Sequence, residues 1–247
     1  MNNEHPAPAV QKRFDFTTPR PRPFLANLPA RIDSYEEGVA RFFQWRTGLD
    51  YYATIDQIVD FVINTRRTRV VDLLCDTATF PLRLAGRKAF IGRVYSFDSN
   101  ITLLERARQR ARHLSLGHAV EFQEFEEPRW PLPDGFAEIA VSIFDLHRRS
   151  AEQFLAETFR ILATDGYLLL AEVLEPGSPG GGLRRAWRNF VIRHLQKNPA
   201  EAMGVYYDHE ELIGLIFRAG FRQVVVQELK SRESPQDGVF SLVAATK

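Results

Sequence analysis

Apolar positions in this chain follow a helical period first and then alternate between strand-like and helix-like runs. Ser34-Tyr35-Glu36-Glu37 has the pattern of a capping box. Val39, Phe42, Phe43 and Trp45 follow it at helical spacing, which predicts a helix from Ser34. Thr54, with Gln57 three residues on, predicts a second start, and Ile55, Ile58, Val59 and Val62 line one face of that helix. Strands are expected at 69–74, 94–98, 119–122, 136–144 and 167–172, with helices at 80–88, 101–114 and 151–162 between them. A further helix opens on Asp208 with Glu211 at its third position, and strands at 222–228 and 240–245 end the chain. Such alternation predicts an α/β fold: a doubly wound, Rossmann-like, mostly parallel seven-stranded sheet with helices on both faces. The two last strands are close enough in sequence to form an antiparallel C-terminal pair.

The first 33 residues break this pattern. Six of the fourteen prolines lie before residue 30, including the run Pro19-Arg20-Pro21-Arg22-Pro23. Proline at that density neither extends a helix nor joins a sheet interior, so 1–33 reads as an extended arm and 34–247 as the folded domain. A disordered tail is the plainer reading of the arm; Phe14, Phe16, Phe24 and Leu25 make it more apolar than a solvated tail requires, which suits packing on a protein partner. With 45% hydrophobic and 26% charged residues the domain can bury a core. Lys and Arg number 32 against 31 Asp and Glu, so net charge favours neither nucleic acid nor membrane. The single cysteine, Cys75, excludes a disulfide scaffold and fits a reducing compartment. No apolar run approaches the ~20 residues of a membrane span, and no secretory signal is visible. A cytoplasmic protein, at most peripheral to a membrane, is the expectation.

Five short motifs, in order, resemble the class I S-adenosylmethionine-dependent methyltransferases over about residues 50 to 247. They are Val70-Val71-Asp72-Leu73, Phe97-Asp98-Ser99, Trp130 to Phe136, Arg160-Ile161-Leu162 through Tyr167, and Glu210-Glu211-Leu212 through Phe221. The subgroup they are most similar to is the methyltransferases of ubiquinone and menaquinone biosynthesis. The resemblance implies S-adenosylmethionine as cofactor. It implies ribose contacts from Asp98 and Ser99, a loop shaped by Asp72, and an acidic residue such as Glu126 near the adenine amino group. Each has a plainer reading too. Asp98, Ser99 or Asn100 would equally serve as an N-cap, and Glu124, Glu126 and Glu127 as a solvated acidic turn.

One departure from the resemblance stands out. The family's first loop carries three glycines, and Leu74, Asp76 and Ala78 occupy those positions here. Glycine serves there because it accepts positive φ and lets backbone approach a ligand. Asp76 brings a carboxylate near the place expected for the cofactor's own carboxylate, and like charges ~4 Å apart cost about 1–4 kcal/mol. Pairing of Asp76 with the cofactor's ammonium would cancel that cost.

Asp145 and His147 follow the fourth strand, at the rim where doubly wound folds place reactive groups, and are the candidate catalytic residues. No histidine spacing points to a metal, and neither a nucleophile elbow nor a phosphate loop is present. Between 175 and 207 lies an insertion. Its segment 183–197 carries Arg184, Arg185, Arg188, Arg193 and Lys197 beside an apolar stripe of Trp187, Phe190, Val191 and Leu195. That pattern fits a lid, or contact with an anionic membrane; no RNA-binding module accompanies it. Two functions follow. One is methyl transfer to a small or lipid-like, quinone-precursor-like acceptor. The other is a catalytically inactive relative acting as a binding or assembly module.

Overall fold

The structure, a computed structural model, describes residues 34–125, 129–175, 190–191, 204–229 and 239–247. The arm 1–33, Glu126 and most of the insertion, including all of 183–197 but Phe190 and Val191, lie outside the described residues.

Two helices, α1 (Ser34–Thr47) and α2 (Tyr51–Asn64), precede the sheet. Helix α2 begins a turn earlier than Thr54, because Asp50 caps it by accepting the N–H of Ala53 at 2.7 Å. The Thr54 hydroxyl turns back instead onto the carbonyl of Asp50, also at 2.7 Å. The chain then runs through β1 (Arg69–Asp72), α3 (Thr79–Ala85), β2 (Arg93–Asp98), α4 (Ile101–His113) and β3 (Val120–Glu124). After β4 (Ala137–Ile143) come a 3-10 turn at Leu146–Arg148, α5 (Ala151–Ile161), and β5 (Leu162–Leu174). The helix His209–Arg218, here α6, and the strands β6 (Arg222–Leu229) and β7 (Val239–Thr246) complete it. Helix α3 is shorter than 80–88 because Gly86 ends it, its N–H bonded to the carbonyl of Leu82. The capping box at α6 is as expected: Glu211 N–H donates to Asp208 at 2.8 Å, and Asp208 N–H to Glu211 at 3.2 Å.

The seven strands form one sheet in the order β3-β2-β1-β4-β5-β7-β6. Strands β3 to β5 are parallel, and β7 lies antiparallel between β5 and β6. The doubly wound fold expected from the alternation is therefore present, with its antiparallel terminal pair. Side chains alternate between two cores. Val70, Val94, Ile139, Val141 and Leu169 pack with α2, α3 and α4 through Ile58, Val62, Leu84 and Leu104. Val71, Phe97, Ala140, Leu168 and Leu170 pack with α5 and α6 through Phe154, Leu155, Leu212 and Ile216. Nearly all are fully buried, each worth roughly 1.5–3 kcal/mol of transfer free energy.

Several motif residues serve this scaffold. The Arg160 guanidinium donates to the carbonyls of Trp130 and Leu132 at 3.1 and 2.8 Å and pairs with Asp134 at 2.7 Å. It thereby ties the approach to β4 to the end of α5. Gly220 has φ +101° against the ring of Phe159, a turn that a side chain would strain.

At the opposite, leading end of β1, Glu138 accepts N–H groups of Thr68 and Arg69 at 2.8 and 2.9 Å and the Thr68 hydroxyl at 2.9 Å. Those bonds, the Arg69 N–H first, hold its carboxyl down at about 2. A depressed carboxyl stabilises the fold above its unfolded value and loses that effect as pH falls through the folded value. Glu138→Gln is therefore expected to cost about 1–3 kcal/mol at pH 7. In chemical denaturation the two proteins should converge between about pH 4.5 and 2. A pH-independent difference would count against this assignment.

Candidate active site

In the sheet order, β1 and β4 are neighbours whose following connections run to opposite sides, so a crevice opens beyond their C-terminal ends. A cavity of about 850 Å³ occupies it. Asp72 at the end of β1, Leu74 to Thr77 of the next loop, Ile143 at the end of β4, and Phe144 and Arg148 after it form its floor. Helix α1 covers it with Tyr35, Phe42, Phe43 and Trp45, joined by Tyr51 of α2 and Phe80 of α3.

The loop reaches this position without glycine. Asp76 has φ +41° and Ala78 φ +59°, the left-handed region, so two of the three replaced positions keep the backbone form that glycine favours. Each costs roughly 1–2 kcal/mol in a residue with a Cβ. Asp98 meets part of that cost: one of its oxygens accepts the N–H of Asp76 at 3.0 Å and the other the N–H of Asn100 at 2.8 Å. Asn100, not Asp98 or Ser99, caps α4, accepting from Thr102 and Leu103 at 3.0 and 3.3 Å. Phe144, at φ +56°, is a third left-handed residue at the cavity.

Helix α1 is fixed to this loop at two points. The Tyr35 hydroxyl donates to Asp76 at 2.9 Å. Glu36, which sits inside the capping-box pattern but at neither of its working positions, is buried and reaches across the fold. It accepts the Thr79 hydroxyl at 2.8 Å and pairs with Arg110 of α4 at 2.9 Å. Arg110 also donates to the carbonyl of Thr77. Neither contact was visible in the sequence, since the partners are 41 to 74 positions apart; only the excess of acids at the head of α1 hinted at a role beyond capping.

The carboxylates differ in setting. Burial pushes Asp76 up to about 6, with Tyr35 and Arg148 opposing the rise and Asp98 and Asp145 adding to it. Burial likewise raises Asp72, whose one hydrogen bond is from Ser96 at 3.2 Å, and Asp145, which pairs with Arg149. Burial also raises the Cys75 thiol, which makes it a poor nucleophile.

Asp72, Leu74 and Asp76 thus face the cavity together. Asp98 lies behind the loop, 3% exposed and outside the cavity lining. Asp145 and His147 are also buried outside that lining. His147 meets Glu172 at 3.2 Å and stacks on Tyr206, ring centres 4.8 Å apart, while Glu172 accepts the N–H groups of Asp145 and Leu146. Arg148, the residue after His147, is the one of this turn that lines the cavity. Among the described residues, no set of acidic, histidine or cysteine side chains is arranged to hold a metal, and no helix is long and apolar enough to cross a membrane.

Residues 70–166 match the sequence family described as a methyltransferase domain. Over that segment the chain is similar to methyltransferase domains. A demethylmenaquinone methyltransferase of Lactobacillus johnsonii is 23% identical over 64% of this chain and 70% of its own length. A ubiquinone/menaquinone biosynthesis C-methyltransferase of Yersinia pestis is 26% identical over 66% of this chain and 70% of its own. Among solved structures, geranyl diphosphate methyltransferase in complex with GPP and sinefungin superposes with a TM-score of 0.62 at 14% identity, covering 76% of each chain. The 4+2 cyclase SpnF gives 0.61 at 19% identity, over 78% of this chain and 81% of its own. These likenesses establish the fold, and the presence of a cyclase among them means that chemistry must be argued from the site.

If Glu36 pins α1 over the cavity, Glu36→Ala should lower stability by about 1–3 kcal/mol. Hydrogen exchange should quicken in α1 while the parallel strands keep their protection. Uniform acceleration across the sheet would show Glu36 to be a general core contact instead.

Proposed function

We propose that this protein is an S-adenosylmethionine-dependent methyltransferase acting on a small or lipid-like acceptor of the quinone-precursor type. The observation that carries the reading is the cavity at the β1–β4 switch point, walled by aromatic rings and by Asp72 and Asp76. Its size suits a nucleoside cofactor together with a small acceptor. Carboxylates suit the cofactor's ammonium and sulfonium charges, and aromatic faces suit a cation or a flat ring. The donor set therefore fits the group. When bound, S-adenosylmethionine supplies an electrophilic methyl group.

In this reading Asp72, Asp76 and the left-handed loop would hold the cofactor's amino-acid end, and Asp98, behind the loop, would brace it rather than take the ribose. The rings of α1, with Phe144, orient the acceptor and exclude water. Asp145 and His147 act through the turn that presents Arg148. The acceptor class draws further support from the quinone-biosynthesis methyltransferases that the chain resembles. The rival reading, an inactive module, leaned on the missing glycines, and the left-handed φ at Asp76 and Ala78 removes most of its force.

S-adenosylhomocysteine at 100 times its dissociation constant should stabilise the protein by about 2.7 kcal/mol, seen as a rise in melting temperature. Leu74→Trp, which fills the cavity wall, should abolish the rise while the unliganded variant melts near the parent. Transfer of labelled methyl to a demethylated naphthoquinol would test the acceptor class. No shift at millimolar ligand would sink the reading.

A further inference from the structure

Asp76 stands where the resemblance places a glycine, and its surroundings give that side chain a task. Its backbone is fixed by Asp98, and one carboxylate oxygen is fixed by Tyr35. The other oxygen accepts no hydrogen bond from any described residue, and Asp76 lines the cavity. The charged groups around it are Asp72 on β1, Asp98 on β2, and Asp145 and Arg148 after β4, with Tyr35 on α1. Arg149 is paired with Asp145, and burial disfavours the ionised form of Asp72. Asp76 and Asp98 against Arg148 therefore set the local charge, which favours a cation over an anion.

We propose that Asp76, oriented by Tyr35, is a charge-selecting residue that pairs with the ammonium at the cofactor's amino-acid end. The side chain that replaces glycine thus contributes a contact of its own, and Tyr35 is its positioning residue. This inference rests on the cofactor reading above. It carries a pH dependence. With its carboxyl near 6, Asp76 is largely ionised at pH 8 and largely protonated at pH 5, so selection for the ammonium should fade as pH drops. Because the Tyr35 hydroxyl favours the ionised form, its removal should move the midpoint upward.

Calorimetric titration of the full chain with S-adenosylhomocysteine and with 5′-methylthioadenosine separates the contributions. The second compound has the same nucleoside and sulfur but neither ammonium nor carboxylate. At pH 8, Asp76→Asn and Asp76→Gly should each weaken S-adenosylhomocysteine about tenfold and change 5′-methylthioadenosine by less than about twofold. The parent's preference for S-adenosylhomocysteine should shrink at pH 5, and Tyr35→Phe should shift that transition to higher pH. Tighter S-adenosylhomocysteine binding in either Asp76 variant would overturn the proposal, as repulsion of the ligand's carboxylate would then dominate. Equal changes for both compounds, or a parent preference independent of pH, would overturn it as well. A parent that binds 5′-methylthioadenosine but not S-adenosylhomocysteine would overturn this inference alone, whereas one that binds neither would remove the cofactor reading with it.

Discussion

The carboxylate of Asp98 accepting the N–H of Asp76 is the contact around which the site is built. The turn from β1 to α3 must pass twice through left-handed backbone, and the residues there carry side chains. Without an acceptor for that N–H, the turn would leave a buried donor unpaired as well as strained. With it, the loop is closed against the end of β2 and its outer surface is free to form a wall. The family resemblance assigns the same carboxylate to a ligand. Here two backbone amides already draw on it. An acid at this place serves the loop before it serves anything bound.

From that fixed loop the rest of the cavity follows. Asp76 offers Tyr35 an acceptor, and Thr77 and Thr79 hold the other end of the contact that reaches Glu36 and Arg110. Helix α1 is thereby attached through polar contacts at its first turn and through Phe43 deeper in the core, against Tyr51 and Phe240. A helix attached in this way presents its aromatic face to a cavity without burying it. That explains why Trp45 and Tyr35 remain 40% and 44% exposed while lining the space below.

The central strands β1, β2 and β4 were legible in the sequence because they are short, apolar runs with both faces covered, while β5 starts earlier than its apolar run, at Leu162. The capping box at Asp208 was legible because all its partners lie within three residues. Asp50 was masked by a better-looking pattern at Thr54, and both readings rest on local hydrogen bonding that sequence alone weighs poorly. The interposition of β7 between β5 and β6 depends on pairing across the whole chain. At the site, Asp72 and Asp76 were found through the position of the loop. The backbone's persistence in left-handed form was not, since a missing glycine reads as a missing conformation. Tyr35 and Glu36 lay unremarked between the two working positions of a capping-box pattern, Ser34 and Glu37, because nothing local marks a side chain that crosses the fold.

Two hydrogen bonds at the rim have a consequence for how this chain can vary. Glu175 donates its N–H to the carbonyl of Tyr207 at 3.0 Å, and Val205 donates its own to the carbonyl of His147 at 2.7 Å. Stacking of Tyr206 on His147 seals the same junction. The stretch from 176 to 204 therefore leaves and rejoins the domain at one place. For a loop with its ends held together, length enters the free energy only logarithmically, about 0.6 kcal/mol for each doubling. A clasp of this kind turns the stretch into an exchangeable cassette. Its length can therefore change at little cost to the seven strands, because both of its ends are already held where the sheet needs them.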